Sequence, residues 1–291
     1  MEPHLVILAG GISSRMKRAA DVVLSPNLQA DAETKSKSMI GLGEAGRPFL
    51  DFLLFNAREA GYRDVVIVVG EDDASIRSYY GPRDRGNLFE GLSLSYAVQP
   101  IPPGRTKPAG TADALLHALR SRPDWAGTRL TVCNSDNLYS RRALALLLEV
   151  PTGCAMIDYS RDALVFPTSR IEQFAVIVSN AKRQLLDIVE KPDPGALERA
   201  RDRTGRVGVS MNIWRFPYDR ILPCLEETPF HPARQEKEIP AAVLILLRRW
   251  PGSLTTIPLE EHVPDLTDRR DILDVQQYLA REFPHFSFGR S

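Results

Sequence analysis

The residues of this chain best equipped for chemistry stand near its start. Gly10-Gly11, then Ser13, Ser14, Arg15 and Lys17, follow directly on the apolar run Leu5-Val6-Ile7-Leu8-Ala9. Adjacent glycines let the backbone bend sharply and turn its N–H groups toward an anion with no Cβ in the way. Arg15 and Lys17 then set positive charge beside the turn. These are the makings of a phosphate-binding loop at the carboxyl end of a strand, and an ordinary strand-end turn with surface cations fits the same residues equally well. Two later stretches also set polar side chains at the end of an apolar run: Ser135-Asp136-Asn137, and Glu190-Lys191 before Pro192. Taken alone, Asp136 reads as readily as a loop cap, and Glu190-Lys191 as a solvated pair.

The elements that must hold these residues follow from periodicity and punctuation. Leu5–Leu8 and Asp64–Gly70 are short unbroken apolar runs, the pattern of strands covered on both faces. The polar stretch 18–38 is expected to be mostly loop, with a weak helical piece at 27–34. A helix is expected from Phe49, with Pro48 at its first turn and Gly61 just past its end. Residues 72–80 read as helix, 94–99 as strand, and the prolines and glycine of 100–104 as loop. Gly110-Thr111 open a helix over 112–120 with Thr111 as N-cap, and 130–134 is a fourth strand. Alternation of strand and helix implies a largely parallel sheet with right-handed crossovers.

The second half changes character. Residues 154–159, 174–179, 185–189 and 207–216 read as strands, with a turn at Asn180-Ala181-Lys182-Arg183. Two amphipathic helices, 239–249 and 269–281, flank a strand at 254–258. The expected architecture is a three-layer α/β sandwich around a mixed, mainly parallel sheet. We expect one domain over 1–291, with a nucleotide-binding half (1–150) and an acceptor-binding half (151–291).

Composition narrows the class. The chain has 291 residues, of which 43% are hydrophobic and 25% charged, with 37 Lys+Arg against 37 Asp+Glu. No net field draws it to nucleic acid or a membrane, so any anion site must be local. Cys133, Cys154 and Cys224 are an odd set without paired spacing, which disfavours a disulfide framework or a zinc site and points to a reducing, cytoplasmic setting. The opening apolar run is short for a signal peptide, and no segment is long enough to span a bilayer. The segment 241–247 is apolar enough to support a homo-oligomer or to pack in the core. The chain lacks G-x-G-x-x-G, G-x-x-x-x-G-K-[ST] and G-x-S-x-G, and its five histidines are scattered without zinc spacing.

Across nearly its whole length the chain resembles the sugar-phosphate nucleotidyltransferases, also called NDP-sugar pyrophosphorylases. Leu8-Ala9-Gly10-Gly11 with Ser14-Arg15-Met16 resembles that family's L-A-G-G-x-G-T-R-[LM] signature. Lys37-Ser38-Met39-Ile40 with Gly46-Arg47-Pro48-Phe49-Leu50 resembles its K-x-[LM]-[LI]-P … G-K-P-[LM]-[IL] segment. Gln99-Pro100 and Gly110-Thr111-Ala112-Asp113-Ala114 resemble Q-x-x-P … G-T-A-x-A; Ser135-Asp136-Asn137 resembles G-D-N; Val189-Glu190-Lys191-Pro192 matches V-E-K-P. Later, 209–214, 233–239 and 263–273 are similar to an N-x-G-[IL]-Y strand, an A-R-G-E-x-E-I stretch and a W-x-D-x-G-T-x-x-D-[LI] motif. The pattern is nearest to glucose-1-phosphate thymidylyl- and uridylyltransferases.

The resemblance implies Mg²⁺-dependent transfer of a nucleotidyl group from an NTP, best UTP or dTTP, to a sugar 1-phosphate, best glucose 1-phosphate, with release of pyrophosphate. It assigns the triphosphate to Gly10, Gly11 and Ser13, the departing pyrophosphate to Arg15, and charge at the α-phosphorus to Lys37. Gln99 and Gly110 would read the base, with Asp113 capping its helix. Asp136 and Asp265 would hold Mg²⁺. Lys191 and Arg234 would take the acceptor phosphate, and Asn137 and Glu190 the sugar hydroxyls. Three departures stand out: Ser13 where the family has a third glycine, Gly41 where it has a proline, and a motif around Asp265 without its tryptophan and glycine. The serine form resembles relatives that transfer cytidylyl or other groups to non-sugar phosphates such as phosphocholine, and such an activity stands as the alternative. A non-catalytic sugar-nucleotide-binding module is the other. No hexapeptide repeat follows, so no fused acetyltransferase is expected.

Overall fold

A computed structural model describes residues 3–13, 15–18 and 22–288; Ser14, part of the opening motif, lies outside them. The first half runs β1 (His4–Leu8), α1 (Pro26–Thr34), α2 (Phe49–Ala60), β2 (Asp64–Gly70), α3 (Ser75–Tyr80), β3 (Asn87–Phe89), β4 (Leu92–Gln99), α4 (Thr111–Ser121) and β5 (Arg129–Asn134). Next come α5 (Arg141–Glu149), β6 (Cys154–Ser160), α6 (Thr168–Ile171), β7 (Val176–Ser179), β8 (Leu185–Val189), α7 (Pro194–Ala200) and β9 (Gly208–Val209). The chain closes with β10 (Trp214–Pro217), α8 (Tyr218–Glu226), α9 (Ile239–Arg249), β11 (Leu254–Leu259) and α10 (Asp271–Glu282).

Among the described residues these strands form one mixed sheet in the order β3-β4-β2-β1-β5-β10-β6-β9-β7-β8. Strands β4, β2, β1 and β5 are mutually parallel, whereas β10 runs antiparallel to both β5 and β6. Strand β6 carries β10 and then β9 along one edge and β11, parallel, along the other. Alternation along β1 explains why its run is wholly apolar. Leu5 and Ile7 pack on one face with Phe49, Phe52 and Leu53 of α2, while Val6 packs on the other with Ala112 and Leu115 of α4. Strand β2 divides likewise, Val65, Ile67 and Val69 against Val66 and Val68. A strand covered on both faces leaves no position for a polar side chain. This is the three-layer α/β arrangement that the alternating pattern implies.

Helix α2 ends as its sequence specifies. Gly61 takes φ +109°, and the N–H groups of Gly61 and Tyr62 reach back to Arg58 and Ala57. Helix α9 buries Ala242, Val243 and Leu246 in the second core, so its apolar stretch is core packing. No helix among the described residues is long and apolar enough to cross a membrane, and all three cysteines are buried and free.

Several expectations are corrected. Thr111 is not an N-cap: Gly110 holds that position, and the Thr111 hydroxyl accepts from the backbone N–H of Ile239 at 3.1 Å. The single strand expected over 207–216 is two, broken where Asn212 takes φ +54° and Ser210 N–H turns to Ala175 C=O. The break matters, because the carbonyl of Met211 then accepts from the buried Tyr139 hydroxyl at 2.6 Å. Helix α3 begins at Ser75, later than expected, and β3, α5, α7 and α8 were not anticipated.

The amino ends of β1 and β2 are locked by a buried charge cluster. The Asp64 carboxylate accepts from Arg122 at 2.8 and 2.6 Å and from Trp125 Nε1 at 3.0 Å, with His4 at 3.4 Å. Burial alone would raise the Asp64 pKa, but the His4 and Arg122 contacts outweigh it and hold the group well below the ordinary carboxylate range. A depressed carboxylate pKa contributes stability that is complete above about pH 4 and is lost as pH falls through the folded value. Asp64→Asn is therefore expected to lower unfolding free energy by roughly 3 kcal/mol at pH 7 and to flatten the acid limb of the stability profile, both read by denaturant titration.

Candidate active site

The sheet order itself selects a place. From β1 the chain adds β2 and β4 on one side, then crosses to add β5 on the other. The crevice beyond the carboxyl ends of β1 and β5 is thus a topological switch point, where open α/β sheets bind ligands. A cavity of about 410 Å³ opens there, lined by Gly10, Gly11, Ser13, Arg15, Lys37, Gln99, Gly110 and Asp136 among others.

The loop after β1 is shaped by close approaches. A Cβ on Gly10 would sit 3.1 Å from Gln99 Oε1, so the loop and the end of β4 touch through a glycine. Ser13 takes φ +54°, the left-handed region where glycine is favoured. Its hydroxyl supplies what glycine could not, accepting from the backbone N–H of Lys37 at 3.3 Å. The following turn is pinned from far away, since buried Arg269 donates to the Met16 carbonyl at 2.9 Å. Lys37 opens a short 3₁₀ turn, Lys37–Met39, anchored by buried Met39 and Ile40. Gly41 donates its N–H to the Asp31 carboxylate at 2.9 Å, a bond that the family's proline could not make.

Lys37 Nζ donates to Asp136 Oδ2 at 2.8 Å across 99 positions of sequence. Asp136 sits at the end of β5, where residues 264–266 zip onto 136–138. Leu266 N–H bonds Asp136 C=O at 2.8 Å, Leu138 N–H bonds Pro264 C=O at 2.9 Å, and Asn137 bridges Asp265. The zipper brings the Asp265 carboxylate beside that of Asp136. Burial first, and then the negative charge of Asp136, push the Asp265 pKa up, against Arg170 and Thr267. Arg170 pairs with Asp265 at 2.9 Å and with Asp271, and the Thr267 hydroxyl donates to Asp265 at 2.8 Å.

Among the described residues no group of three or more His, Cys, Asp or Glu is placed to hold a metal. Two mutually repelling carboxylates nevertheless fit a hard divalent cation, which would relieve the repulsion that raises Asp265 and leave coordination sites for phosphate oxygens.

Gln99, 3% exposed, donates from Nε2 to the Gly110 carbonyl and to Asp113 Oδ2, each at 2.9 Å. Gly110 takes φ +109°, and a Cβ there would lie 2.4 Å from the Lys237 carbonyl. Segment 236–238 docks on this glycine, with Lys237 N–H on Ala109 C=O and Ala112 N–H on Lys237 C=O. That docking carries Glu236 and Glu238 into the cavity wall beside Lys107, which pairs with Glu236 at 2.6 Å. Lys107, Glu236 and Glu238 were not singled out from sequence, where the glutamates sit in a run of alternating charge that usually marks a solvated face.

The acceptor-side residues do not join this cavity. Arg234 pairs with Glu190 at 2.6 Å and Glu238 at 2.5 Å. Lys191 is exposed with φ +46° and forms no ion pair among the described residues; Asn137 is buried, with Tyr139 near its side-chain oxygen at 3.4 Å. A second cavity of about 600 Å³ is lined by Asp265, Arg170, Phe166, Phe174, His262 and Tyr278 among others, and Arg15 lines both. Burial lowers the His262 pKa to about 4, so its imidazole is neutral at pH 7. Arg170 gave no sequence signal, because it falls in an aperiodic stretch and acquires its partners only through residues 265 and 271.

An α/β sheet with a glycine turn, cations and a carboxylate pair at its switch point defines a nucleotide-handling class of protein. Residues 5–214 match the family model described as nucleotidyl transferase, and the chain belongs to that family. The chain is 26% identical over 251 residues to the bifunctional protein GlmU of Staphylococcus epidermidis, covering 85% of this chain and 46% of that protein. It therefore spans about half the length of the curated relatives it matches. In fold it is similar to the UTP-bound UGPase from Acinetobacter baumannii, with TM-score 0.69, 18% identity, and coverage of 98% of this chain and 95% of that one. It is also similar to a Bacillus anthracis structure provisionally assigned as a glucose-1-phosphate thymidylyltransferase in complex with sucrose, with TM-score 0.66, 21% identity, and coverage of 99% and 97%.

Gly110→Ala is expected to destabilise the fold by about 1–3 kcal/mol through the forbidden dihedral and the clash with Lys237, and to weaken nucleotide binding more than Gly11→Ala, whose Cβ meets nothing within 4 Å. Thermal unfolding and nucleotide titration of the two variants check this.

Proposed function

We propose that the protein transfers a nucleotidyl group from UTP or dTTP to a sugar 1-phosphate, glucose 1-phosphate being the best candidate, and releases pyrophosphate. The observation that carries this reading is the convergence of the 10–13 loop, Lys37, Gln99 and Asp136 on one cavity at the switch point. Two polyanions must meet for this reaction, and cations with fixed backbone dipoles offset their repulsion. In this reading Gly10, Gly11 and Ser13 turn N–H groups to the triphosphate, and Arg15 holds the departing pyrophosphate in its planar fork. Lys37 stabilises charge at the α-phosphorus, its amine already aimed by Asp136 at 2.8 Å. Gln99 and Gly110 read the base. Lys191 takes the acceptor phosphate, its exposure leaving it available, while Arg234, Glu190 and Asn137 shape the acceptor side. Asp136 and Asp265 would hold Mg²⁺, which supplies charge neutralisation for the phosphates. Little covalent work falls to the protein, so positioning and charge supply most of the acceleration.

Incubation with Mg²⁺, a panel of NTPs and a panel of sugar 1-phosphates, with pyrophosphate as the readout, tests the proposal. Release is expected for UTP or dTTP with a hexose 1-phosphate, and no release with any pair overturns it. Lys37→Ala and Asp136→Asn are each expected to lower kcat by about 100-fold or more while the unfolding midpoint moves little, because both side chains are paired at a partly open surface.

A further inference from the structure

The Asp265 carboxylate is gripped at both of its oxygens. Oδ1 accepts from the Thr267 hydroxyl at 2.8 Å, and Oδ2 from an Arg170 guanidinium nitrogen at 2.9 Å. The same nitrogen lies 3.4 Å from the Asp265 carbonyl. A carboxylate offers about four lone-pair sites, so one donor on each oxygen fixes its plane and leaves a lone pair on each. Thr267 stands where the resembled motif has its glycine, and a glycine could not make this bond.

Arg170 is itself held. Its other arm donates to Asp271 Oδ1, and its guanidinium carbon lies 4.5 Å from the centre of the Phe166 ring. Asp271 Oδ2 in turn accepts the backbone N–H groups of Thr267 and Asp268 at 2.7 and 2.8 Å. Both donors to Asp265 therefore trace back to Asp271, the first residue of α10.

We infer that Arg170, backed by Asp271, is a positioning residue that sets the Asp265 carboxylate for a divalent cation. The inference rests on the reading that Asp136 and Asp265 hold that cation. An arginine beside a cation site ordinarily opposes binding through its charge. Here Asp271 offsets that charge on the other arm of the guanidinium, so the pair adds no net charge. What remains is direction, supplied by a planar fork divided between two carboxylates. Partners of this kind fix the orientation of a metal ligand, and losing one typically weakens metal binding about 10- to 100-fold.

Binding of Mn²⁺ alone to the intact chain, followed by loss of the free-ion EPR signal, tests this with charge-conserving variants. The site is the Mn²⁺ uptake that Asp136→Asn abolishes. Arg170→Lys keeps the charge but has no planar fork to span Asp265 and Asp271. The double variant Arg170→Gln/Asp271→Asn removes the pair without changing net charge, and its new amide oxygen can still accept the Thr267 and Asp268 N–H groups. Each is expected to weaken Mn²⁺ binding about 10-fold or more, and should one not fold, the other decides. A merely structural ion pair between α6 and α10 would lower the unfolding midpoint and leave the Mn²⁺ affinity of the folded protein unmoved. Unchanged or tighter binding in the folded variants overturns the inference, as does wild-type protein that takes up no Mn²⁺ at this site. The pyrophosphate assay is independent of these outcomes: its failure alone removes the proposed transfer and leaves the role of Arg170 standing.

Discussion

Everything at the candidate site hangs from the carboxyl end of β1, and β1 is fixed because it is buried on both faces and paired along both edges. Leu5 and Ile7 enter one core and Val6 the other, while β2 and β5 run parallel on either side in register from His4 to Leu8. Fully burying a side chain of this size is worth roughly 1.5–3 kcal/mol, so three of them on one short strand leave it little freedom. The Asp64–Arg122–Trp125 cluster holds the opposite end of the same strands. With the strand immobile, the glycine turn that follows can be aimed, and its aim is refined by contacts from Gln99, Lys37 and Arg269.

Charge in the site is balanced internally. Lys37 pairs with Asp136, Lys107 with Glu236, Arg234 with Glu190 and Glu238, and Arg170 with Asp265 and Asp271. A chain of zero formal net charge thus concentrates its cations where phosphates would arrive without leaving them bare. Under the proposed function, phosphate oxygens would take over these cations from the carboxylates, an exchange with little net desolvation because most of these pairs are partly open. Arg170 is different: it reaches the half-buried Asp265 beside Asp136, and its guanidinium opposes the burial and the neighbouring negative charge that push Asp265 up.

The serine in the opening loop shows how a departure from a family pattern can be structural. Ser13 adopts the backbone conformation that favours glycine, and in return its hydroxyl ties the loop to the segment carrying Lys37. Gly41 is the complementary case, a residue whose N–H is used and where proline would remove a bond to Asp31. Ser13 ties the loop to Lys37 itself, and Gly41 ties the segment four residues further on to α1.

Much of the fold was legible in the sequence because strand and helix signals are local. Unbroken apolar runs marked β1 and β2, Pro48 and Gly61 bracketed α2, and alternation of the two element types implied the parallel half of the sheet. Short elements escaped where the signal was brief or mixed, as with β3 and α7, and one long run concealed the break at Asn212. The loops that could do chemistry were also legible, since glycines, cations and carboxylates at strand ends are visible as composition. What only the tertiary structure decided is who faces whom: Lys37 on Asp136, Arg170 on Asp265, and Lys237 on Gly110. Those pairings span 95 to 127 positions and depend on strand order and the 136–138 to 264–266 zipper, which periodicity along the chain does not encode. The sequence determined the β1 strand and its anion-ready turn, and tertiary packing determined which side chains that turn meets.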